Sequence, residues 1–173
     1  MTSSADAAWL WEVADHAEEV HALLCVSDVV QAEKTGTPVP QRRFTTTERR
    51  VREGAVHLMR RAGTAVASFT LTSDAPFDAV EAGYEPTSNP FYLQRLAVHP
   101  DLLQQGSVVG AQSIRRAARL AIDSGADVLR AEVNPDLSAT AELLELLGFV
   151  KVGPLWADGR GRRWMYVEKA LQK

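Results

Sequence analysis

The sequence predicts an α/β (α+β) fold: a mixed central sheet of about seven strands with helices on both faces. Three observations carry this. Segments with strand-like and helix-like patterning succeed one another in the order β-α-α-β-β-β-α-β-α-β-β. The strand–helix–strand–helix run in the middle requires helices packed on a sheet. Finally, 173 residues with 46% hydrophobic and 24% charged side chains supply enough apolar surface for one domain spanning 1–173.

Met1 to Ala7 are small and polar and read as a flexible terminus. Trp9-Leu10-Trp11-Glu12-Val13 forms the first strand. From Asp15 to Lys34, Val20, Leu23, Leu24, Val30 and Ala32 recur at helical spacing, with an interruption expected near Ser27. Gly36 and Pro38-Val39-Pro40 break the chain. One of Thr45, Thr46 and Thr47 is expected to cap a short helix bearing Glu48, Arg49, Arg50 and Arg52.

Ala55–Arg60 and Thr64–Leu71 form a hairpin around Arg61-Ala62-Gly63. The polar stretch from Thr72 to Pro90 is long for a connection and is expected to be functional or mobile. Phe91–Val98 is a strand ended by His99-Pro100, and a loop is expected from there to Gly110. In the next helix Ala111, Ile114, Ala118, Ala121 and Ile122 share a stripe, while Arg115, Arg116 and Arg119 lie largely off it. Gly125 ends it. A strand at Val128–Val133, a helix over Leu137–Leu147 and strands at Phe149–Val152 and Trp164–Glu168 complete the chain.

Composition limits the function classes. A net charge of -3 and a pI of about 5.8 give no basis for nucleic-acid or membrane binding. The one cysteine, Cys25, sits among Ala22, Leu23, Leu24 and Val26 and reads as a buried core thiol, which fits a cytoplasmic setting. Four scattered histidines and the lack of a cysteine pair supply no metal-site pattern. Nucleophile-elbow, P-loop and His-Glu-x-x-His motifs do not occur.

The segment Gln105-Gly106-Ser107-Val108-Val109-Gly110 opens a helix. A helix start carries unpaired N–H groups and the positive end of the dipole, so it suits a diphosphate. Gly106 and Gly110 permit close approach, and the Gln105 amide is a potential donor to a phosphate oxygen. The same glycines equally make an ordinary turn and helix start.

Three segments in order carry a resemblance. Tyr92–Pro100 is similar to the central strand of the GNAT acetyltransferases, and Gln105–Gly110 resembles their acyl-CoA loop. Asn134-Pro135-Asp136, the following helix and Leu147-Gly148-Phe149 are similar to the second half of that core. The resemblance implies a GNAT fold, acetyl-CoA as cosubstrate, and transfer of its acetyl group to a primary amine of a small molecule or protein. Homodimers are common in the family. It further implies that the backbone of Leu96, Ala97 and Val98 holds the pantetheine arm where a bulge splays this strand from its neighbour. Gln105, Gly106, Ser107, Val108, Val109, Gly110 and Asn134 complete the implied cofactor set.

Such transfer needs an amine freed of its proton, a donor for the developing oxyanion and an acid for the leaving thiolate. Tyr92, Glu132 and Tyr166 are the candidates, each with a plainer reading as packing or solvent-facing residue; His99 is a further one. The chain departs from the family pattern in three ways. Val108 stands at the middle glycine of the loop, and the stretch before Gln105 is longer than usual. Leu144 and Leu137 occupy the positions of the usual tyrosine and asparagine. These departures support a second expectation, a non-catalytic acyl-CoA-binding module. Arg42, Arg43, Arg49, Arg50 and Arg52 read either as a site for carboxylates or phosphates on the acceptor, or as a solvated face paired with Glu48 and Glu53.

Overall fold

The computed structural model describes residues 9–104 and 108–172. The terminus through Ala7 and the residues Gln105, Gly106 and Ser107 lie outside them. The elements run β1 (Trp9–Val13), α1 (Ala17–Thr35), α2 (Phe44–Arg52), β2 (Val56–Arg61), β3 (Thr64–Thr72), β4 (Pro90–Val98), α3 (Pro100–Gln104), α4 (Val109–Asp123), β5 (Val128–Val133), α5 (Ser138–Leu146), β6 (Val150–Ala157) and β7 (Arg163–Ala170). They build one seven-stranded sheet in the order β1-β2-β3-β4-β5-β7-β6. The β4–β5 pair is parallel and every other pair is antiparallel. The mixed sheet expected from the sequence is therefore present.

Alternation along the strands gives the sheet two different faces. Phe69, Leu71, Leu93, Leu129, Ala131, Val133 and Val167 form an apolar face under α4 and α5, packed with Ile114, Ala117, Ala121 and Leu144. On the opposite face α1 presents Val20, Leu23 and Leu24 to Val56, Leu58, Ala65 and Ala97. The β2–β3 hairpin closes on Ala62 (φ 52°) and Gly63 (φ 80°), two left-handed residues whose twist matches that of the strands.

The segment between β3 and β4 is docked on the second face, over β5 and β7. The Asp78 carboxylate accepts the Val80 and Glu81 amides at 2.9 and 3.0 Å, forming a turn. The Tyr84 hydroxyl donates to the Val167 carbonyl at 2.9 Å, with the Ala131 carbonyl at 3.2 Å. The Arg130 guanidinium lies 4.3 Å from the centre of the Tyr84 ring and pairs with Glu168 at 2.7 Å. It also donates to the Glu85 carbonyl. Phe77 packs among Tyr84, Tyr92 and Tyr166.

Several local expectations change. The first helix is continuous through Ser27, because that buried hydroxyl accepts a bond from Gln31 one turn on, at 2.9 Å. Cys25, midway along α1, is half-buried rather than in the core. No threonine caps α2: Arg43 takes the cap position, and Thr47 is fully buried inside the helix. Part of the loop expected after Pro100 is the short helix α3. In α4 the buried stripe runs through Val109, Ser113, Ile114, Ala117 and Ala121, so Ala117 rather than Ala118 meets the sheet most fully.

Candidate active site

The site begins with an irregularity in β4. Pairing with β3 runs from Thr72↔Tyr92 to Thr70↔Gln94, then resumes at Ser68↔Ala97, so β4 carries one extra residue. The surplus lies at Arg95–Leu96, and Arg95 has φ 52°. A non-glycine residue in the left-handed region costs about 1 kcal/mol and persists only where its surroundings hold it there. Here the bulge lets consecutive side chains, Gln94 and Arg95, both reach the wall of one cavity. Gln94 donates to the Thr72 hydroxyl at 2.8 Å. Arg95 donates to the buried Thr47 hydroxyl of α2 at 3.1 Å.

The bulge also ends the parallel ladder. β4 and β5 pair from Pro90↔Val128 to Leu93↔Ala131, and beyond that point the two strands part. The gap is a small cavity of about 50 Å³ lined by Leu93–Leu96, Ala131–Val133, Thr140 and Leu144. The His99 amide donates to the Val66 carbonyl at 2.8 Å, on the β3 side. Strand alternation therefore turns the Val98 N–H and C=O toward the gap. A larger cavity, about 360 Å³, opens on the other face between Arg42, Pro76, Phe77, Leu93, Gln94, Arg95, Glu132 and Arg162. The two share Leu93, Gln94, Arg95 and Glu132, so they meet where the strands part.

The residues implied for the cofactor fall as follows. Leu96 lines the gap. Ala97 is buried against α1, and Val98 against Leu102 and Val109. Val108 is the cap residue of α4 with φ -79°, so its position requires no left-handed backbone and its branched side chain is tolerated, exposed to solvent. Val109 is buried in the core. A side chain at Gly110 would start 3.3 Å from Leu143, so this glycine allows α4 and α5 to approach. The Asn134 carboxamide oxygen accepts the Asp136 amide at 2.9 Å and shapes the turn after β5. Gln105, Gly106 and Ser107 lie outside the described residues. Behind the helix start, Arg115 and Arg116 face solvent.

Tyr92, Glu132 and Tyr166 come together on the face covered by the β3–β4 segment. Glu132 and Tyr166 are direct cross-strand partners, and Phe77 touches both tyrosines. Only Glu132 lines the cavities, and it pairs with Arg162. Tyr92 is buried with its hydroxyl 3.4 Å from the Arg130 guanidinium. Tyr166 is buried and its hydroxyl accepts the Trp164 indole N–H at 3.2 Å. Burial raises its pKa, which the Trp164 bond only partly opposes, so the phenol stays protonated. His99 stands at the end of β4, its ring accepting the Asp101 amide at 3.4 Å.

Sequence reasoning passed over Arg95, Gln94, Arg162, Phe77 and Thr140 as wall residues. One signal was available: adjacent Gln94-Arg95 inside Phe91–Val98 breaks the strand alternation, as a bulge does. Thr140 and Leu144, one helical turn apart, both face the gap, which follows from the placement of α5. Of the early arginines, Arg49, Arg50 and Arg52 engage Glu53 and Glu48, as a solvated face should. Arg42 instead enters the larger cavity.

No family model matches the sequence, and no curated protein matches it. Solved structures do match its fold. A GNAT-family acetyltransferase from Streptococcus agalactiae superposes with a TM-score of 0.74 at 16% identity, covering 95% of this chain and 96% of that one. The NatC complex bound to Gag peptide and CoA contains a chain that matches at 0.71 and 12% identity, with 95% and 99% covered. A ribosomal-protein-alanine N-acetyltransferase from Brucella melitensis matches at 0.65 and 19% identity, with 94% and 99% covered. The fold of this chain is the GNAT fold.

Proposed function

We propose that the protein is an N-acetyltransferase that moves the acetyl group of acetyl-CoA directly to an amine, both substrates being bound together. The observation that carries this reading is the parting of β4 and β5 at a bulge, with a cavity on each face meeting at Leu93–Arg95 and Glu132. Acetyl-CoA, when bound, supplies an activated acyl carbon. The residues present fit it: a mostly apolar gap for a pantetheine arm, a backbone donor at Val98, and a long helix start at Val109. The structural relative crystallised with CoA supports the same choice.

The amine enters from the larger cavity, where Glu132 accepts its proton directly or through one water. The neutral nitrogen forms the new amide bond as the carbon–sulfur bond breaks, and the sulfur takes up a proton to leave as CoA thiol. Leu144 supplies no acid for that last step. Thr140 brings a hydroxyl to the wall of the gap, and Tyr166, protonated and a cross-strand partner of Glu132, lies behind the cavity wall. A thiolate leaves readily, so loss of the usual tyrosine slows the reaction without abolishing it.

Thiol release from acetyl-CoA over a panel of amines tests this reading. Turnover is expected, and Glu132→Gln should lower kcat by about 10²-fold or more while CoA affinity stays unchanged. CoA binding without turnover on any amine would leave the acyl-CoA-binding module as the correct description, the reading that Leu144 favours.

A further inference from the structure

We infer that the acceptor is a small amine that also carries an oxyanion, a carboxylate or a phosphate, and that Arg95 receives this group with Arg42 beside it. The inference rests on the acetyl-transfer reading above and names the substrate class of that site.

Three guanidinium groups and one carboxylate line the larger cavity. Two of the three cations are already matched. Arg42 makes a two-pronged pair with Asp28 of α1, at 2.6 and 3.0 Å. Arg162 pairs with Glu132. Arg95 has no carboxylate within ion-pair distance among the described residues; its hydrogen-bond partner is the neutral Thr47 hydroxyl. Its guanidinium is half-buried, and Arg42, Arg50 and Arg49 act on it as like charges. Burial, then these neighbours, lower its pKa despite the opposing pull of Asp28, although a guanidinium remains charged. A cation held in such a place without a counter-charge is costly unless an anion arrives. Arginine is also the side chain whose planar fork matches a carboxylate or phosphate.

The geometry separates the two ends of such an acceptor. Arg42 and Arg95 are tied to α1 and α2 through Asp28 and Thr47. Glu132 and Arg162 belong to β5 and to the turn before β7. An amine near Glu132 therefore leaves the rest of the molecule to extend along the cavity toward Arg95. A volume of about 360 Å³ suits a small molecule. The left-handed backbone at Arg95 lies where the two cavities meet, and from there the side chain runs to Thr47 of α2, which carries the cation away from β5.

The test compares matched acceptors. Glutamate and 4-aminobutyrate are assayed against their carboxamides, and O-phosphoethanolamine against ethanolamine, with agmatine as a cationic control. Wild-type kcat/KM is expected to favour the anionic member by about tenfold or more. The glutamate and phosphoethanolamine arms show which oxyanion is preferred. Arg95→Gln should raise KM for the anionic acceptor by on the order of ten- to hundredfold and change that of the amide little. Arg95→Gly relaxes the left-handed backbone while removing the cation and its bond to Thr47, so it should lose the same selectivity with little net change in thermal stability. Calorimetric binding of the same pairs to the CoA-loaded protein keeps the inference testable if turnover is absent. Equal use or binding of anionic and neutral partners, or a preference for agmatine, overturns it. Absence of CoA binding and of all turnover would instead overturn the acetyl-transfer reading.

Discussion

The two cavities that meet at β4 differ in their walls beyond the four residues they share. The gap between β4 and β5 is walled largely by Leu93, Leu96, Ala131, Val133 and Leu144, continuous with the core under α4 and α5. The larger cavity is walled mainly by Arg42, Gln94, Arg95, Glu132 and Arg162, with Pro76, Phe77 and Leu93. An apolar wall accepts any flexible chain of the right width, whereas a charged wall selects by charge and geometry. On the proposed reading, generic binding falls on one face of the sheet and discrimination on the other. The same division runs down β5, where the neighbours Leu129 and Arg130 point to opposite faces.

That division is tested most severely at Leu129, which is wholly buried beneath α4. Leu129→Ala should lower stability by about 3 kcal/mol, with a fall in Tm that is insensitive to salt. Arg130→Gln should cost about 2 kcal/mol, below the usual cost of a broken buried pair, because its partner Glu168 keeps some water access. Its effect on function should differ in kind. Loss of the Tyr84 and Glu85 contacts loosens the segment carrying Pro76 and Phe77, so acceptor KM rises while CoA affinity is unchanged. If both variants raise acceptor KM and CoA Kd alike, the faces do not act separately.

The smallest effect concerns His57, stacked on Phe69 with ring centres 5.1 Å apart. Burial, and then the Arg116 charge, hold its pKa below the ordinary histidine value. The unfolded chain therefore binds the proton more readily. Stability from this residue is complete above the unfolded pKa of about 6.5 and declines as pH falls below it, until the folded pKa is passed. Melting curves between pH 8 and 5 should show that decline, and His57→Phe should flatten it by a fraction of a kcal/mol, by about 0.5. An unaltered pH profile in the variant would assign the slope to carboxylates.

Much of this architecture could be read from the chain alone. The order of strands, the hairpin at Ala62-Gly63 and the helix ended by Gly125 all depend on neighbours a few residues apart, and local patterning encodes them. Short-range rules also put Glu132 on β5, but they leave open whether it faces a cavity or solvent. What only the tertiary structure decided depends on residues distant in sequence. At Val108 the backbone is right-handed (φ -79°), so that position does not need the conformational freedom of glycine. Thr47 looks like a helix cap and is instead a buried acceptor for Arg95, a contact spanning 48 residues. Arg42 resembles its neighbours Arg49 and Arg52 in composition, yet it alone of the three enters the cavity, because Asp28 on α1 draws it there. A charge is visible in a sequence, but whether water, a carboxylate or nothing stands opposite it is settled only by packing.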